Sequence, residues 1–376
     1  MTSTTSRRSF LALASAGALA PALAQQPKPL IDGASLNGWE IIDGPSSSFH
    51  VHNGDLVVSP FSSYPTLLRT TREFENFDLS LEFFTKGWTD SGLYLFAPRF
   101  GPPTDCGMQI KIFHRAEEPN TYSCGSIFPV VAPLKVPVKA EWNSLRVRSA
   151  WPRLEVWMNG EKIHDLDRST HPELRERLRA GHLGLVAASS QCRFRNFQIA
   201  ELPTTQKWDV LYEKPADLDA NWAISEGKPD FRTFGPVLRS DANGHLASKR
   251  KFRNFELELY ARGMAQHNSG ILFRSNGRGS QKPEHYEIQL HSAPEAHFPT
   301  GSLYHLKRAK YPRIHDEQWY LFQMRVVERE VMVRINGETV MEFANLTNLN
   351  DGFIELQAHR QGYWTEFQRV RVRSLS

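Results

Sequence analysis

Short stretches of alternating apolar and polar residues run through nearly the whole chain. Two of them, Gly270 to Arg274 and Tyr286 to His291, flank a glycine-rich segment. A period of two is typical of β-strands and sends alternate side chains to opposite faces. The second run therefore presents a polar row beside Arg274, made of Glu287, Gln289 and His291. Such a row is either a solvated outer face, which antiparallel strands commonly have, or a ligand surface on a sheet.

The chain contains an internal repeat of domain size. Residues 76–82 and 90–96 return as residues 254–260 and 268–274, with the same spacing between the two blocks. Further landmarks recur in the same order, about 171 to 180 residues apart: Gln109 with Gln289, Gly125 with Gly301, Trp142 with Trp319, Asn159-Gly160 with Asn336-Gly337, Gly181 with Gly352, and Phe194 with Phe367. A repeat of this length indicates a duplicated domain. We place the two copies at residues 25–202 and 203–376.

Each copy is predicted to be almost entirely β-structure. The predicted strands are Phe77–Phe83, Leu145–Val147, Leu154–Met158, Leu183–Val186 and Phe194–Ile199, with the counterparts Phe255–Tyr260, Leu321–Val326, Val331–Ile335, Phe353–Gln357 and Phe367–Val372. Four Asn-Gly pairs, at 53–54, 159–160, 243–244 and 336–337, favour tight hairpin turns. Only Thr170 to Ala180 has a helical pattern, with Leu174 and Leu178 on one face. The fold class is therefore all-β, with one jelly-roll β-sandwich per copy.

Residues 1–24 have the features of a targeting segment. A twin-arginine motif around Arg7 and Arg8 precedes an apolar run from Leu11 to Leu23, and Ala22-Leu23-Ala24 provides small residues for cleavage before Gln25. We expect a protein exported folded by the twin-arginine route to the periplasm or the medium.

Composition narrows the classes of partner. The 376 residues are 40% hydrophobic and carry a formal net charge of only +4, without a basic block, so nucleic-acid binding is not expected. No apolar run is long enough for a membrane span. Three cysteines are present, and Cys106 with Cys124 is the natural candidate for a disulfide in an exported protein.

The repeated motifs resemble those of the 3-keto-disaccharide hydrolase domain family. They are Leu30 to Trp39, Asn-Ser-Gly-Ile-x-x-Arg from Asn268, Tyr-Glu-Ile-Gln from Tyr286, Thr-Gly-x-x-Tyr from Thr300, Ile-Asn-Gly from Ile335, and Leu-Gln-x-His from Leu356. The resemblance covers the mature chain twice. It implies two tandem concanavalin A-like jelly-roll sandwiches, each of two curved sheets, with sugar bound on a concave face.

The two copies differ at the polar positions of the family. The second copy has Arg274, Glu287, Gln289, Tyr304, Gln357 and His359, where the motif alignment places Phe96, Gly107, Gln109, Phe128, Val186 and Ala188 in the first. We expect the active site in the second copy and a structural or accessory sugar-binding role for the first.

The resemblance implies cleavage of a glycoside whose C3 is a ketone. Removal of the C2 proton allows the C1 oxygen to leave, and water then completes a net hydrolysis. The predicted catalytic roles fall on Glu287 or His359 as base, Arg274 at the enolate oxygen, and Tyr304 or His291 as acid. The predicted substrate-binding residues are Gln289, Gln357 and His291, with Trp364 as a stacking platform.

Several alternatives remain open from the sequence. Arg274 and Glu287 could form a cross-strand ion pair without catalytic role. No cofactor is expected, although Glu287, His291 and His359 together could ligate a divalent metal. The competing function is a lectin-like protein that binds glycans without cleaving them.

Overall fold

A computed structural model describes residues 26–59, 66–189, 192–204, 207–278 and 285–375. The predicted leader, residues 1–24, lies outside these ranges. Within them the chain is built from β-strands with two short α-helices, α1 (Pro103–Cys106) and α2 (Ala216–Asn221), and one turn of 3-10 helix at Ser46–Ser48. The all-β fold class is confirmed.

The first sandwich contains fourteen strands among the described residues. They are β1 (Lys28–Pro29), β2 (Trp39–Ile42), β3 (Phe49–His52), β4 (Asp55–Val58), β5 (Thr66–Phe74), β6 (Phe77–Thr85), β7 (Asp90–Ala97), β8 (Met108–Phe113), β9 (Ile127–Phe128), β10 (Asn143–Ala150), β11 (Arg153–Met158), β12 (Glu161–Asp167), β13 (Gly181–Ser189) and β14 (Cys192–Glu201). One sheet has the order β12-β11-β10-β6-β14-β4-β3, with β1 beside β14, and the facing sheet has the order β2-β5-β13-β7-β8-β9.

The second sandwich repeats this plan with one long connecting strand. Its strands are β15 (Asp209–Tyr212), β16 (Trp222–Phe234), β17 (Val237–Phe252), β18 (Phe255–Gly263), β19 (Asn268–Ser275), β20 (Tyr286–His291), β21 (Tyr320–Val327), β22 (Glu330–Ile335), β23 (Glu338–Phe343), β24 (Gly352–Ala358) and β25 (Thr365–Ser374). The order is β20-β19-β24-β17-β25-β18-β21-β22-β23, with β16 on β17 and β15 on β25. Strand β17 pairs with β24 through one half and with β25 through the other, so it joins both layers.

The alternation of the sequence explains the packing. Every strand predicted from the pattern lies within an observed strand. In β18, Leu257, Leu259 and Ala261 enter the core of the second sandwich, while the residues between them point to the opposite face. At about 25 cal/mol per Å² of buried apolar surface, two such cores supply the main stabilisation of the fold.

Three of the four Asn-Gly pairs form the predicted hairpin turns. Asn53-Gly54, Asn159-Gly160 and Asn336-Gly337 have positive φ at both residues and connect β3–β4, β11–β12 and β22–β23. The prediction for Asn243-Gly244 is wrong, because both residues lie inside β17, paired with Lys228 and Gly227 of β16.

The helix predicted at Thr170 to Ala180 is also wrong. This segment forms a series of turns, although Leu174 and Leu178 are buried as the pattern indicated. Tertiary hydrogen bonds take the backbone groups that a helix would use. The amide of Leu178 donates to the carbonyl of Cys106, and the Arg168 guanidinium donates to the carbonyl of Leu178 at 2.9 Å.

The cysteines do not form the disulfide considered for Cys106 and Cys124. Both are free and buried, as is Cys192. Burial raises the pKa of the Cys124 thiol to about 12, so it stays protonated at neutral pH.

The basic run from Arg369 to Arg373 at the end of the chain holds the two sandwiches together. Strand β25 lies between β18 and β17, and its arginines are buried against the first sandwich. Arg371 donates to Glu258 at 2.6 Å and lies 3.4 Å from Glu73, and Arg369 also donates to Glu73. Arg373 donates to Glu75 at 2.8 Å.

These arginines determine the charge state of the interface. Burial alone would raise the pKa of Glu73, but Arg369 and Arg371 outweigh burial and hold it below its usual value. The interface carboxylate therefore stays ionised and paired, as buried charges require.

No helix among the described residues is both long and apolar enough to cross a membrane.

The interface predicts a large loss of stability for Arg371→Met. The substitution leaves Glu258 buried without its arginine, and breaking a buried pair from one side costs about 3–5 kcal/mol. Urea unfolding followed by tryptophan fluorescence measures the change. Arg153→Met is the matched control, since it removes an exposed ion pair with Asp165 and should change stability little. Equal effects of the two substitutions would contradict the proposed importance of the interface.

Candidate functional site

Strand pairing in the second sandwich assembles one polar face from four strands. Glu287 of β20 pairs with Leu272 of β19, Leu272 pairs with Glu355 of β24, and Glu355 pairs with Ala247 of β17. Directly paired residues point to the same side of a sheet. The polar face therefore comprises Glu287, Gln289 and His291 of β20, Asn268 of β19, Glu355 and Gln357 of β24 with His359 just beyond it, and His245 of β17.

Glu287 is the most perturbed carboxyl group of this face. Burial raises its pKa to about 7, against an ordinary value of 4.5, and nearby His245 offsets only part of that shift. Neither a hydrogen bond nor an ion pair from another described residue reaches the carboxyl group. A largely buried carboxyl group with a pKa near neutrality can accept a proton at physiological pH.

A glycine makes room for this side chain. A Cβ atom at Gly270 would lie 2.3 Å from Oε1 and 2.9 Å from Cγ of Glu287. Gly270 thus allows the carboxyl group to lie across β19, and the neighbouring Asn268 and Ser269 belong to the same strand.

Glu355 and His245 form a buried carboxylate–imidazole pair. Nδ1 of His245 lies 3.3 Å from Oε2 of Glu355, which also accepts a hydrogen bond from Ser225 at 2.7 Å, while Ser275 donates to Oε1. Burial would raise the pKa of Glu355, but the nearby His245 and the hydrogen bonds from Ser275 and Ser225 together lower it. Glu355 is therefore ionised and lies beside the imidazole ring.

Two amide side chains cross the middle of the polar face. Gln289 donates to Asn268, and Nε2 of Gln357 lies 3.3 Å from Nε2 of His245. The side-chain carbonyl oxygens of both glutamines are buried, and neither has a hydrogen-bond partner among the described residues. Buried acceptors without partners are costly, so these two oxygens suit a ligand that brings hydroxyl groups.

His291 and His359 lie at one end of the polar face. Burial lowers the pKa of each, and His359 is lowered further by Arg360. Both imidazoles are therefore neutral at pH 7 and can donate or accept a hydrogen bond.

Tyr304 lies at the edge of the face beside Glu287. Its amide donates to the carbonyl of Glu287 at 2.9 Å, and its ring packs on His305 with 3.9 Å between centroids. The side chain is 40% exposed, so its phenol is accessible at the rim.

The structure does not bring Arg274 to the polar face. This arginine is buried, has a φ of 52° and donates to the carbonyls of Asn348 at 2.8 Å and Arg253 at 3.2 Å. Its guanidinium group therefore connects neighbouring loops to β19 by hydrogen bonds. The ion pair with Glu287 that the sequence allowed does not form.

Trp364 also lies away from the polar face. Its ring is covered by the guanidinium of Arg239 at 4.7 Å and approached by Arg262 at 5.9 Å, both of which pair with Glu366. Arg262 follows Tyr260 and Glu258 on the side of β18 opposite the core. The indole is therefore already in contact with cations, which argues against a role as a stacking platform for a sugar.

Sequence reasoning missed Glu355 and His245. Glu355 was detectable, because it has the same strand parity as Gln357 and His359 and is the one charged residue inside the apolar strand β24. His245 was not, because its place beside Gln357 depends on the pairing of β17 with β24.

A metal site is not apparent in the part of the chain that the structure describes. No three His, Cys, Asp or Glu side chains there come together in an arrangement that could hold an ion.

The first sandwich has the same backbone with different chemistry, and its register corrects the motif alignment. Gly92 pairs with Lys111 as Gly270 pairs with Gln289, so Gln109 is the counterpart of Glu287 and Lys111 that of Gln289. The amide of Lys111 donates to Ser126 just as that of Gln289 donates to Ser302.

The carboxyl group of Glu287 in the second sandwich is thus replaced by the amide of Gln109 in the first. Lys111 is held by Asp90 at 2.8 Å, and Leu67 and Val186 stand at the positions of His245 and Gln357. These two aliphatic residues form a small apolar cluster with Tyr94. The first face therefore lacks the buried acid and imidazole.

Comparison with protein families and solved structures returned matches to both halves of the chain. The family model of the 3-keto-alpha-glucoside-1,2-lyase-like domain matches residues 26–200 and 205–373. The resemblance inferred from the motifs is confirmed. Among curated proteins no match was found.

Solved structures align with about half of the chain. Two putative glycosyl hydrolases from Parabacteroides distasonis ATCC 8503 are 19% and 22% identical, with TM-scores of 0.41 and 0.42, and cover 47% of this chain and 94% and 100% of their own. The carbohydrate binding module CBM66 from Bacillus subtilis is 14% identical over 41% of this chain and 96% of its own, with a TM-score of 0.31. Likenesses at this level do not bear on function.

The two buried carboxyl groups predict opposite effects of pH on stability. Glu287 has a folded pKa above that of the unfolded chain, so ionising it costs stability as pH rises from about 4.5 through 7. Glu287→Gln should raise the free energy of unfolding at pH 8 by about 1–3 kcal/mol and leave it unchanged at pH 4.5.

Glu355→Gln is the matched control with the opposite sign. Its folded pKa is lowered, so its contribution is present above the unfolded pKa and is lost as pH falls. Chemical denaturation at both pH values measures the two variants. A destabilised Glu287→Gln at pH 8 would show that this carboxyl group is not strained by burial.

Proposed function

Because the chain belongs to the 3-keto-alpha-glucoside-1,2-lyase-like domain family over residues 26–200 and 205–373, we propose that it cleaves 3-keto-glycosides on the polar face of its second sandwich. Family membership identifies a carbohydrate-active protein. The single observation that carries the finer proposal is Glu287, a largely buried carboxyl group that has no hydrogen-bond or ion-pair partner among the described residues and a pKa raised to about 7.

The proposed reaction is a β-elimination. The C3 ketone acidifies the proton on C2, Glu287 removes that proton, and the electrons form the C1–C2 double bond as the glycosidic oxygen leaves with its bonding pair. The leaving oxygen takes up a proton, and water adds to the double bond to complete a net hydrolysis. A general base contributes about 10²- to 10⁴-fold when its pKa lies near the working pH, which supports Glu287 over the exposed His359.

We assign the acid role to His245. Glu355 lies against its Nδ1, so the ring is oriented with Nε2 toward Gln357 on the polar face. With the carboxylate beside Nδ1, Nε2 is the position from which the ring would pass a proton to the leaving oxygen. Tyr304 at the rim is the second candidate acid.

Arg274, which the sequence suggested for the enolate oxygen, does not lie on the polar face. Neutral groups would therefore stabilise the enolate. The amides of Gln289 and Gln357 lie on the same face as Glu287, and their unpartnered carbonyl oxygens suit sugar hydroxyl groups. Hydrogen bonds held in place before reaction stabilise developing negative charge without reorganisation. His291 and His359 would orient the sugar at the end of the face.

An aryl 3-keto-glucoside tests the proposal directly. The wild type should release the aryl alcohol, with kcat/KM rising with pH through about 7 as Glu287 ionises, and deuterium at C2 should slow the reaction. Glu287→Gln should lower kcat at least about 100-fold with folding intact.

Gln109→Met is the matched control, because Gln109 occupies the position of Glu287 in the first sandwich and should be dispensable for turnover. Full activity of Glu287→Gln would overturn the assignment. Saturable binding of the glycoside without any turnover by the wild type would favour the lectin-like function.

We also propose export by the twin-arginine route to the periplasm or the medium, on the basis of Arg7, Arg8 and the apolar run that follows. Joint replacement of Arg7 and Arg8 by Lys should retain the precursor in the cytoplasm of a bacterial host. Cell fractionation with immunoblotting measures the distribution, and a periplasmic protein exported unfolded in the same cells is the control. Unchanged export of the double variant would count against this route.

A further inference from the structure

A pocket lies at the end of the second sandwich, next to the polar face. It has a volume of about 160 Å³ and is enclosed by the segments that follow β18, follow β20 and precede β21. We call it the His267 pocket, after the buried histidine that lines it together with Ser292 and Tyr320.

Three buried polar groups in this pocket lack a hydrogen-bond partner among the described residues. They are Nε2 of His267, the hydroxyl of Ser292 and the hydroxyl of Tyr320. His267 and Tyr320 are each only 2% exposed. Leaving a buried polar group unpaired costs about 1–3 kcal/mol, so three in one pocket indicate a ligand that supplies the missing hydrogen bonds.

The chemistry of these groups is that of a neutral hydroxyl-bearing ligand. Nδ1 of His267 lies 2.9 Å from the carbonyl of Met264, which can only accept, so Nδ1 carries the hydrogen. Burial lowers the pKa of His267, hence its Nε2 is a free acceptor. An acceptor beside two hydroxyls suits a polyol, and the carboxylate of Asp316 in the lining disfavours an anion.

The first sandwich shows that the fold does not require these orphan groups. By strand register, His267, Ser292 and Tyr320 correspond to Thr89, His114 and Asn143. In the first copy, the backbone of Thr89 contacts Nδ1 of His114, and Asn143 bonds to Lys139 and Glu141. The same positions are internally satisfied in one copy and left open in the other.

The size and walls of the pocket fit one sugar ring. An engineered cavity of about 150 Å³ holds a benzene ring, so 160 Å³ accommodates a six-membered ring. Pro299, Pro312 and Ile314 provide apolar walls for the C–H groups of a pyranose. His291 lines the pocket and also belongs to the polar face, where it pairs with Asn268.

We propose that the His267 pocket binds a second, neutral sugar ring of the substrate. The inference rests on the proposed function for its first ring, which lies on the polar face. His291 stands between the two rings and would contact both.

Tyr320→Phe tests the proposal with little risk to folding, because the hydroxyl removed has no partner among the residues that the structure describes. With a 3-keto-disaccharide, the variant should have a KM raised about three- to tenfold, as expected for one lost hydrogen bond. With methyl 3-keto-glucoside, which has one ring, its kinetics should equal those of the wild type. Ser292→Ala should show the same difference between the two substrates. The control is Tyr122→Phe, which changes an exposed phenol in the first sandwich.

Calorimetry with unoxidised maltose separates this proposal from the proposed function, because it needs no turnover. Weaker maltose binding by Tyr320→Phe, even if no 3-keto-glycoside were cleaved, would uphold the pocket while the elimination chemistry failed. If Tyr320→Phe and Ser292→Ala changed neither maltose binding nor the preference for two rings, the pocket would hold solvent only and the inference would be overturned.

Discussion

Strand β25, in which valines alternate with arginines, joins the two sandwiches. Val370 and Val372 enter the core of the second sandwich, while Arg369, Arg371 and Arg373 point the other way into carboxylates of both copies. Because a buried charge is tolerated only when it is paired, the two sandwiches are held in the orientation that gives each of these arginines a carboxylate partner. The two copies are joined through β25, whereas the polar face lies on β20, β19, β24 and β17. The polar face therefore remains available for a ligand.

Duplication has separated stability from chemistry in this protein. Both copies keep the strand register, the glycine of β7 and β19, and apolar cores of similar construction. Only the second copy carries the buried acid Glu287, the Glu355–His245 pair and unpartnered amides. Glu287 and the unpartnered amides oppose stability when no ligand is bound, which is the usual cost of an organised site. The first copy, with Gln109 and Lys111 at the matching positions, shows the same sheet without that cost.

The strands and the repeat were predictable because local alternation and turn residues determine them, and Glu287, Gln289 and Gln357 were correctly placed on one face. Errors arose where distant contacts compete with local pattern. The segment at residues 170–180 has a helical spacing of leucines, yet Arg168 and Cys106 take its backbone bonds. Arg274 has the right parity for the polar face, but a positive φ turns its side chain to loop carbonyls.

By itself, the sequence determined an all-β chain of two related sandwiches, with a polar row on one strand of the second. Period two and the order of motifs are local properties, so they survive without coordinates. Which residues meet across strands was decided by the tertiary structure alone. The register that matches Glu287 with Gln109, the pairing that brings His245 to Glu355, and the cations that cover Trp364 depend on chain segments far apart in sequence. Burial then sets the pKa of Glu287, because desolvation is a property of the folded surroundings and not of the residue.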